Sequence, residues 1–338
     1  MTSMVPFAGA RMKTFAAIAA CLLCATLIGG PTQAQTNYPE KVITIVVPVA
    51  AGGPGDAAAR VLVDRMTAEL GQQVIVENMS GAGGMTGAGR VARAAPDGYT
   101  ILVAQIGLTF GPALYPNLPF SVEKDFTAVG MVNTSYSFLV GRASLPANNF
   151  QELVAWMKGP GRPVKFAHAG VGTLGHLHSL LLMRAAGTEA NFIPYRGGGQ
   201  ALQDVIGGHS DINIAGITSA TQLINEKKIK PFLVTSKTRY EGAPEVPSIV
   251  ELGFPHLSVP FWHAMWVPAA TPKPIVDKLN AALRAAIEHA DVKKNYAARG
   301  VSAFPPDQMS PEAANTYVKS QVEFWAKVIR DNGIKIDP

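Results

Sequence analysis

Four glycine-rich segments hold the chemistry open to this chain: Pro48 to Asp56, Ser80 to Gly89, Ala169 to Gly175 and Tyr195 to Gln200. Each falls where a strand pattern gives way to a helix pattern. Such a turn places bare backbone N–H groups at a helix N-terminus, the positive end of the macrodipole. Glycine also lets a ligand approach the main chain closely. One turn of this kind is ordinary turn chemistry. Four, divided between two α/β units, predict a cleft that holds anions. In open α/β sheets ligands lie at the carboxyl ends of strands, where these turns fall.

Arrangements for catalysis are scarce. The chain has no G-x-S-x-G elbow, no H-E-x-x-H and no P-loop. Gly170-Val171-Gly172-Thr173-Leu174-Gly175 fits G-x-G-x-x-G, after a strand and opening a helix. However, Glu189 precedes the next strand, whereas a ribose-binding acid should follow it, and Tyr195-Arg196 fills that later place. A dinucleotide site is therefore disfavoured. His176 and His178 are two apart, face different sides of a helix and cannot chelate one metal; they read as capping or packing residues. Asp204 and Asp211 lack an obvious partner carboxylate. His263, between Trp262 and Trp266, suits a cleft or a core equally, and Asp56 sits in a first helical turn where the dipole stabilises it. No catalytic residue, metal site or cofactor is expected. The alternatives are an exported hydrolase using Asp56 and His176, and an NADP-binding oxidoreductase.

The elements that must position these turns alternate along the chain. Val42 to Val47 reads as a buried strand, and Ala58, Val61, Leu62, Met66 and Leu70 recur at helical spacing until Gly71. Val74 to Glu77 is a strand, a helix ends near Ala95, and Tyr99 to Ala104 is a third strand. This βαβαβ order predicts a parallel sheet with helices on its faces. The rhythm recurs with strands at Val164 to Ala167, Asn191 to Tyr195 and Ile212 to Ala215, and helices at Leu174 to Ala186 and Gln200 to Ile206. Thr271-Pro272 and Ser310-Pro311-Glu312 open two further helices, the second closed by Asn332-Gly333.

The 338 residues are 48% hydrophobic and 16% charged, which suits two folded domains and excludes a disordered chain or a coiled coil. No Lys/Arg stripe is dense enough for nucleic acid. The longest basic cluster, Lys227-Lys228-Ile229-Lys230, reads as a solvated helix end. Arg11 and Lys13, the apolar run Phe15 to Ile28, Gly29-Gly30-Pro31 and Thr32-Gln33-Ala34 read as a secretory signal peptide over residues 1–34. Ile18-Ala19-Ala20-Cys21 resembles a lipobox, but the apolar run continues past it. Both cysteines, Cys21 and Cys24, leave with the leader, and the net charge falls from +5 to +3 because Arg11 and Lys13 go too. No other segment approaches the ~18 apolar residues of a membrane helix.

Together these residues resemble a known family. Tyr38-Pro39 and Pro48-Val49-Ala50-Ala51-Gly52-Gly53-Pro54-Gly55-Asp56 resemble the opening of Bug-type solute receptors, the periplasmic binding proteins of tripartite tricarboxylate transporters. Val76-Glu77-Asn78, Gly81-Ala82-Gly83-Gly84 and Pro96-Asp97-Gly98-Tyr99-Thr100 match in order. So do Gly170 to Thr173 with His176-Leu177, Pro194-Tyr195-Arg196-Gly197-Gly198, Val246-Pro247-Ser248 and Pro268-Ala269-Ala270-Thr271-Pro272.

The resemblance implies a type II periplasmic-binding-protein fold, α/β, with a ligand cleft between two domains. These would be residues 37–140 plus 265–338, and residues 141–264. It implies a non-enzymatic, monomeric receptor that takes an organic carboxylate, by preference a dicarboxylate, aromatic such as terephthalate or aliphatic, to membrane transporter components. Matched by motif, the contacts would be Val49, Ala50, Ala51, Gly52, Gly53, Asp56, Gly84, Met85, Gln105, Ala169, Gly170, Gly172, Thr173, Tyr195, Gly197 and Gly198. The sequence departs from the family where Val49 replaces a common aromatic and Gly55 a common Thr.

The leader gives a first test. Edman sequencing of the exported protein should begin at Gln35, after the small residue Ala34; an acylated Cys21 at the start would make it a tethered lipoprotein instead.

Overall fold

The computed structural model describes residue 1 and residues 37–161 and 163–335. Apart from Met1, the expected leader, with its cleavage point and lipobox-like run, lies outside the described residues. The chain proceeds through β1 (Ile43–Val47), α1 (Pro54–Leu70), β2 (Val74–Asn78), α2 (Met85–Ala92) and β3 (Thr100–Gln105). A 3₁₀ turn (Ile106–Phe110) and α3 (Gly111–Leu114) lead into β4 (Phe126–Ser135). Then come β5 (Ser137–Arg142), α4 (Phe150–Lys158), β6 (Lys165–His168), α5 (Leu174–Ala186), β7 (Asn191–Pro194), α6 (Gly198–Ile206), β8 (Ile212–Gly216), α7 (Ile217–Asn225) and β9 (Ile229–Val234). The last elements are β10 (Phe261–Pro268), α8 (Lys273–Glu288), α9 (Ala290–Ala298) and α10 (Pro311–Asp331).

The strands form two five-stranded sheets, ordered β2-β1-β3-β10-β4 and β7-β6-β8-β5-β9. Each contains the expected parallel βαβ strands. Each also contains one strand running against the others: β10 lies antiparallel between β3 and β4, and β5 antiparallel between β8 and β9. The wholly parallel sheets expected from local alternation are therefore mixed. The reason is that β10 and β5 do not follow a helix crossover from their neighbours, so βαβ geometry does not set their direction. The chain passes from the first sheet to the second through Tyr136 alone, between β4 and β5, and re-enters the first at Phe261.

Burial follows from this layering. In β1 the residues Ile43, Ile45, Val46 and Val47 are fully buried, as a strand covered on both faces requires. In β5 successive side chains divide between two cores: Phe138 and Val140 join one, Leu139 the other. Buried Asp211 ties this region together, accepting from Arg142 Nε at 3.0 Å and from the Lys165 N–H at 2.9 Å. The basic cluster is a solvated helix end only in its first half, where the exposed Lys227 and Lys228 donate from their N–H groups to the Ile224 and Leu223 carbonyls. α7 stops at Asn225, Lys227 turns at φ 57°, and Lys230 lies in β9 with its ammonium on the Leu145 carbonyl at 2.7 Å. No helix among the described residues is long and apolar enough to cross a membrane.

Three histidines belong to this packing. His263 on β10 donates from Nδ1 to Asn133 Oδ1 at 2.8 Å, while His176 stacks on His168 with centroids 4.4 Å apart and His178 is buried on α5. Burial lowers their pKa values to about 4 for His176, helped by the neighbouring His168, about 4 for His178 and about 3 for His263. These lie below the unfolded value near 6.5, so on acidification the unfolded chain takes up protons first. Their contribution is complete above about pH 6.5 and is lost as pH falls toward the folded values. Urea melts of the unliganded protein should thus show stability dropping by roughly 1 kcal/mol per pH unit per histidine below pH 6. A flat profile from pH 7 to 5 would contradict neutral, buried imidazoles.

Candidate functional site

The four glycine-rich turns leave the carboxyl ends of β1, β2, β6 and β7. Parallel pairing ends at Val47 beside Asn78 and at His168 beside Pro194, which sets the turns side by side within each sheet. Close approaches then link all four. A Cβ on Gly84 would stand 3.4 Å from the Pro48 carbonyl, joining the second turn to the first. One on Gly83 would stand 3.3 Å from the Val171 carbonyl, joining the first sheet's turns to the second's. One on Gly170 would stand 3.3 Å from the Tyr195 carbonyl, and one on Gly198 3.9 Å from the Ala169 Cβ. Val49, Gly84, Met85 and Gln105 wall a cavity of about 10 Å³ with Pro48, Gly83, Ala104 and Leu108. That is room for about one water.

Three of the four helices that begin at these turns lack a side-chain cap. α1, α2 and α6 start at Gly53, Gly84 and Gly197 with no side-chain cap, so no side chain competes for their first N–H groups. α7 starts likewise at Gly216, a position that the four-turn reading does not include. α4, α9 and α10 are capped by Asn149, His289 and Ser310. α8, behind Pro272, is uncapped without belonging to the group. At α5 the Thr173 hydroxyl accepts from the His176 N–H at 3.4 Å and donates to the Gly170 carbonyl at 2.7 Å.

Several polar residues shape the turns. Asp56 is buried; it accepts from the Gly52 N–H at 2.9 Å, and from Arg60 Nε at 2.9 Å to each oxygen. Burial pushes its pKa up, but the bonds from Arg60 and Gly52 outweigh this and hold it below the usual value. Arg60 continues to Asn78 Oδ1 at 3.2 Å, and Asn78 donates to the Val49 carbonyl at 3.1 Å. The Asp56 carboxylate is thus engaged in holding the Val49 to Gly53 turn. In the third turn the Gly172 N–H donates to His176 Nδ1 at 3.3 Å, so His176 braces the turn. The Tyr195 hydroxyl donates to Asp204 and lies 3.2 Å from Ser210 Oγ. Among the described residues no three His, Cys, Asp or Glu side chains gather as a metal site.

Tyr115 joins the group unannounced. Its hydroxyl lies 3.0 Å from where a Cβ would stand on Gly83 and 3.0 Å from where one would stand on Gly172. Both glycines have positive φ, 63° and 76°. A phenol from the first sheet's side is thus wedged between turns of both sheets, and burial raises its pKa. A lone tyrosine after a short helix carries no sequence pattern that would have singled it out.

Comparison with known proteins places this geometry in context. Residues 58–334 match the family described as tripartite tricarboxylate transporter family receptor. A protein of Agrobacterium vitis, the UPF0065 protein in the TAR-I ttuE-ttuC' intergenic region, is 41% identical over 314 residues, which span 93% of this chain and 91% of the relative. The structure of the periplasmic binding protein BugD superposes with a TM-score of 0.83 at 37% identity, over 88% of this chain and all of that one. MatC from Rhodopseudomonas palustris, solved with bound malate, gives 0.81 at 34% identity, over 86% of this chain and all of that one.

The Tyr115 wedge is testable by a double-mutant cycle. Gly172→Ala adds a strained positive φ and a close approach to the phenol, and should destabilise by roughly 1–3 kcal/mol. Part of that loss should vanish when Tyr115→Phe removes the hydroxyl, leaving a coupling of about 0.5 kcal/mol or more in denaturant melts. Additive losses would mean that the phenol does not press on Gly172.

Proposed function

The chain belongs to the tripartite tricarboxylate transporter receptor family and has the two-domain periplasmic-binding-protein fold of its relatives, and on that premise we propose that it captures an organic dicarboxylate between two closing lobes. We further propose that it works in the periplasm and hands the acid to the membrane components of a tripartite transporter. The observation that carries this reading is the meeting of glycine turns from both sheets, Gly83 against Val171, with α1, α2 and α6 starting uncapped at three of the four turns. A charged hydrogen bond contributes roughly 1.5–3 kcal/mol, and a helix N-terminus up to about 2 kcal/mol in a partly buried site. A few of these per carboxylate give tight binding without an arginine.

In this reading one carboxylate lies on the first sheet's turns, at Val49 to Gly53, Gly84-Met85 and Gln105. The other lies on the second's, at Ala169 to Thr173 and Tyr195 to Gly198. Asp56 serves by shaping the first turn. The lobes are residues 37–135 with 261–338, and residues 137–260, hinged at Tyr136 and at the approach to Phe261; the change falls a few residues before the expected 140/141 and 264/265 bounds because β5 pairs in the second sheet and β10 in the first. The cavity of about 10 Å³ admits little more than a water, so a solute enters only when the lobes part, and closure is a population shift driven by its preference for the closed form. A dicarboxylate that touches both lobes supplies that preference. Bound malate in the relative MatC is of this class.

Two measurements test the proposal. In solution scattering, a dicarboxylate from a panel running from malate to terephthalate should lower the radius of gyration, and its dimethyl ester should not. Gly198→Val should weaken calorimetric binding of that acid at least a hundredfold. A Cβ there meets only the Ala169 Cβ at 3.9 Å, so the apo protein should melt within a few degrees of wild type. An ester as effective as the acid, or full affinity in Gly198→Val, would defeat the carboxylate clamp.

A further inference from the structure

A larger cavity lies away from the glycine turns. It measures about 300 Å³ and opens between the last turns of α5, the 256–259 segment and the last turns of α10. That is the low end of the range at which small-molecule pockets occur, ~300–1,000 Å³. Leu181, Ala185, Leu257, Val259, Phe324 and Val328 make it mostly apolar. One wall is rigid: Trp325 packs edge-on against Phe110 with centroids 4.5 Å apart, and Phe324 packs edge-on against Trp325 at 5.4 Å. Phe324 is nonetheless 45% exposed, a large aromatic left at the mouth of a ready-made apolar space.

The polar groups around this space are out of balance. Arg184 donates from Nη1 to the carbonyl of Asn332 at 2.7 Å and to its Oδ1 at 2.9 Å, both neutral oxygens. No carboxylate among the described residues pairs with it. The walls also hold two buried polar atoms without partners, the acceptor His178 Nε2 and the donor Trp325 Nε1–H. Burial keeps His178 neutral at pH 7. Leaving such groups unmet costs about 1–3 kcal/mol each.

We propose that this cavity is a second binding site, distinct from the glycine turns, for a compact amphipathic organic anion whose apolar ring lies against Leu181, Leu257 and Val328 and whose charge meets Arg184. The site is built from both sheets, because α5 packs on the second and α10 on β4 of the first. An occupant is therefore linked to the apposition of the two, and the linkage is reciprocal.

Anilinonaphthalene sulfonate, an aromatic anion that fluoresces in apolar surroundings, is the probe. Titrated into the whole exported protein at pH 7, it should give a saturable, one-to-one enhancement and a melting temperature that rises with its concentration. Hydrogen exchange should slow at residues 181–185 and 324–332. Ala185→Trp, at an exposed position of α5, should fill the space and weaken binding at least tenfold without changing the apo melting temperature by more than a few degrees. Arg184→Gln should weaken it about tenfold, as loss of one charged hydrogen bond does. The proposal is overturned by the absence of saturable enhancement, by protection confined to the glycine turns, or by wild-type affinity in both variants. None of these outcomes bears on the carboxylate clamp, which is tested with different ligands and a different residue.

Discussion

An α-helix that begins without a side-chain cap leaves backbone N–H groups facing outward with no partner of their own. In this protein α1, α2 and α6 all begin this way, at Gly53, Gly84 and Gly197; the α1 and α2 turns meet directly, and the α6 turn is joined to them through the Ala169 to Gly175 turn. The rest of the architecture serves that meeting. Parallel pairing aligns the strand ends, so that the turns leave each sheet at one level. Asp56, Arg60 and Asn78 hold the first turn in shape, and Thr173 and His176 hold the third. Several polar side chains are engaged in building the turns, which leaves the main chain at the helix starts free to face a ligand.

Such a site suits a receptor that must let go. N–H groups at fixed helix starts give direction and charge complementarity but no covalent or metal bond to break. In the proposed site each sheet contributes a part, and the chain passes between them only through Tyr136 and the run into Phe261. Affinity is then tied to the relative placement of the sheets. The Tyr115 hydroxyl, set against both Gly83 and Gly172, marks where their turns touch.

Much of this could be read from the sequence because it is local. A buried β-branched run, a glycine turn and a periodic helix each lie within about twenty residues. α5 falls at Leu174–Ala186 as its spacing predicts, and Ser310 caps α10. What could not be read depends on partners far away in the chain. β10 joins β3 and β4 from more than a hundred residues downstream, so nothing near β3 announces a mixed sheet. Lys227 and Lys228 close a helix as the sequence suggests, but Lys230 is read correctly only when β9 pairs with β5 and draws it onto the Leu145 carbonyl. The sequence around Asp56 does not reveal that its carboxylate accepts from Gly52 and Arg60. Tyr115 gains its meaning only when Gly172 arrives from the other sheet.

The central claim is that main-chain N–H groups of turns from both sheets hold an anionic ligand. Amide ¹H–¹⁵N spectra of the protein titrated with its best-binding dicarboxylate test it directly. Downfield proton shifts at amides of the Val49 to Gly53, Gly84-Met85, Ala169 to Gly172 and Gly197-Gly198 turns, drawn from both sheets and saturating together, are the predicted result. Saturable binding that leaves those amides unmoved, or that moves the turns of one sheet alone, would contradict it.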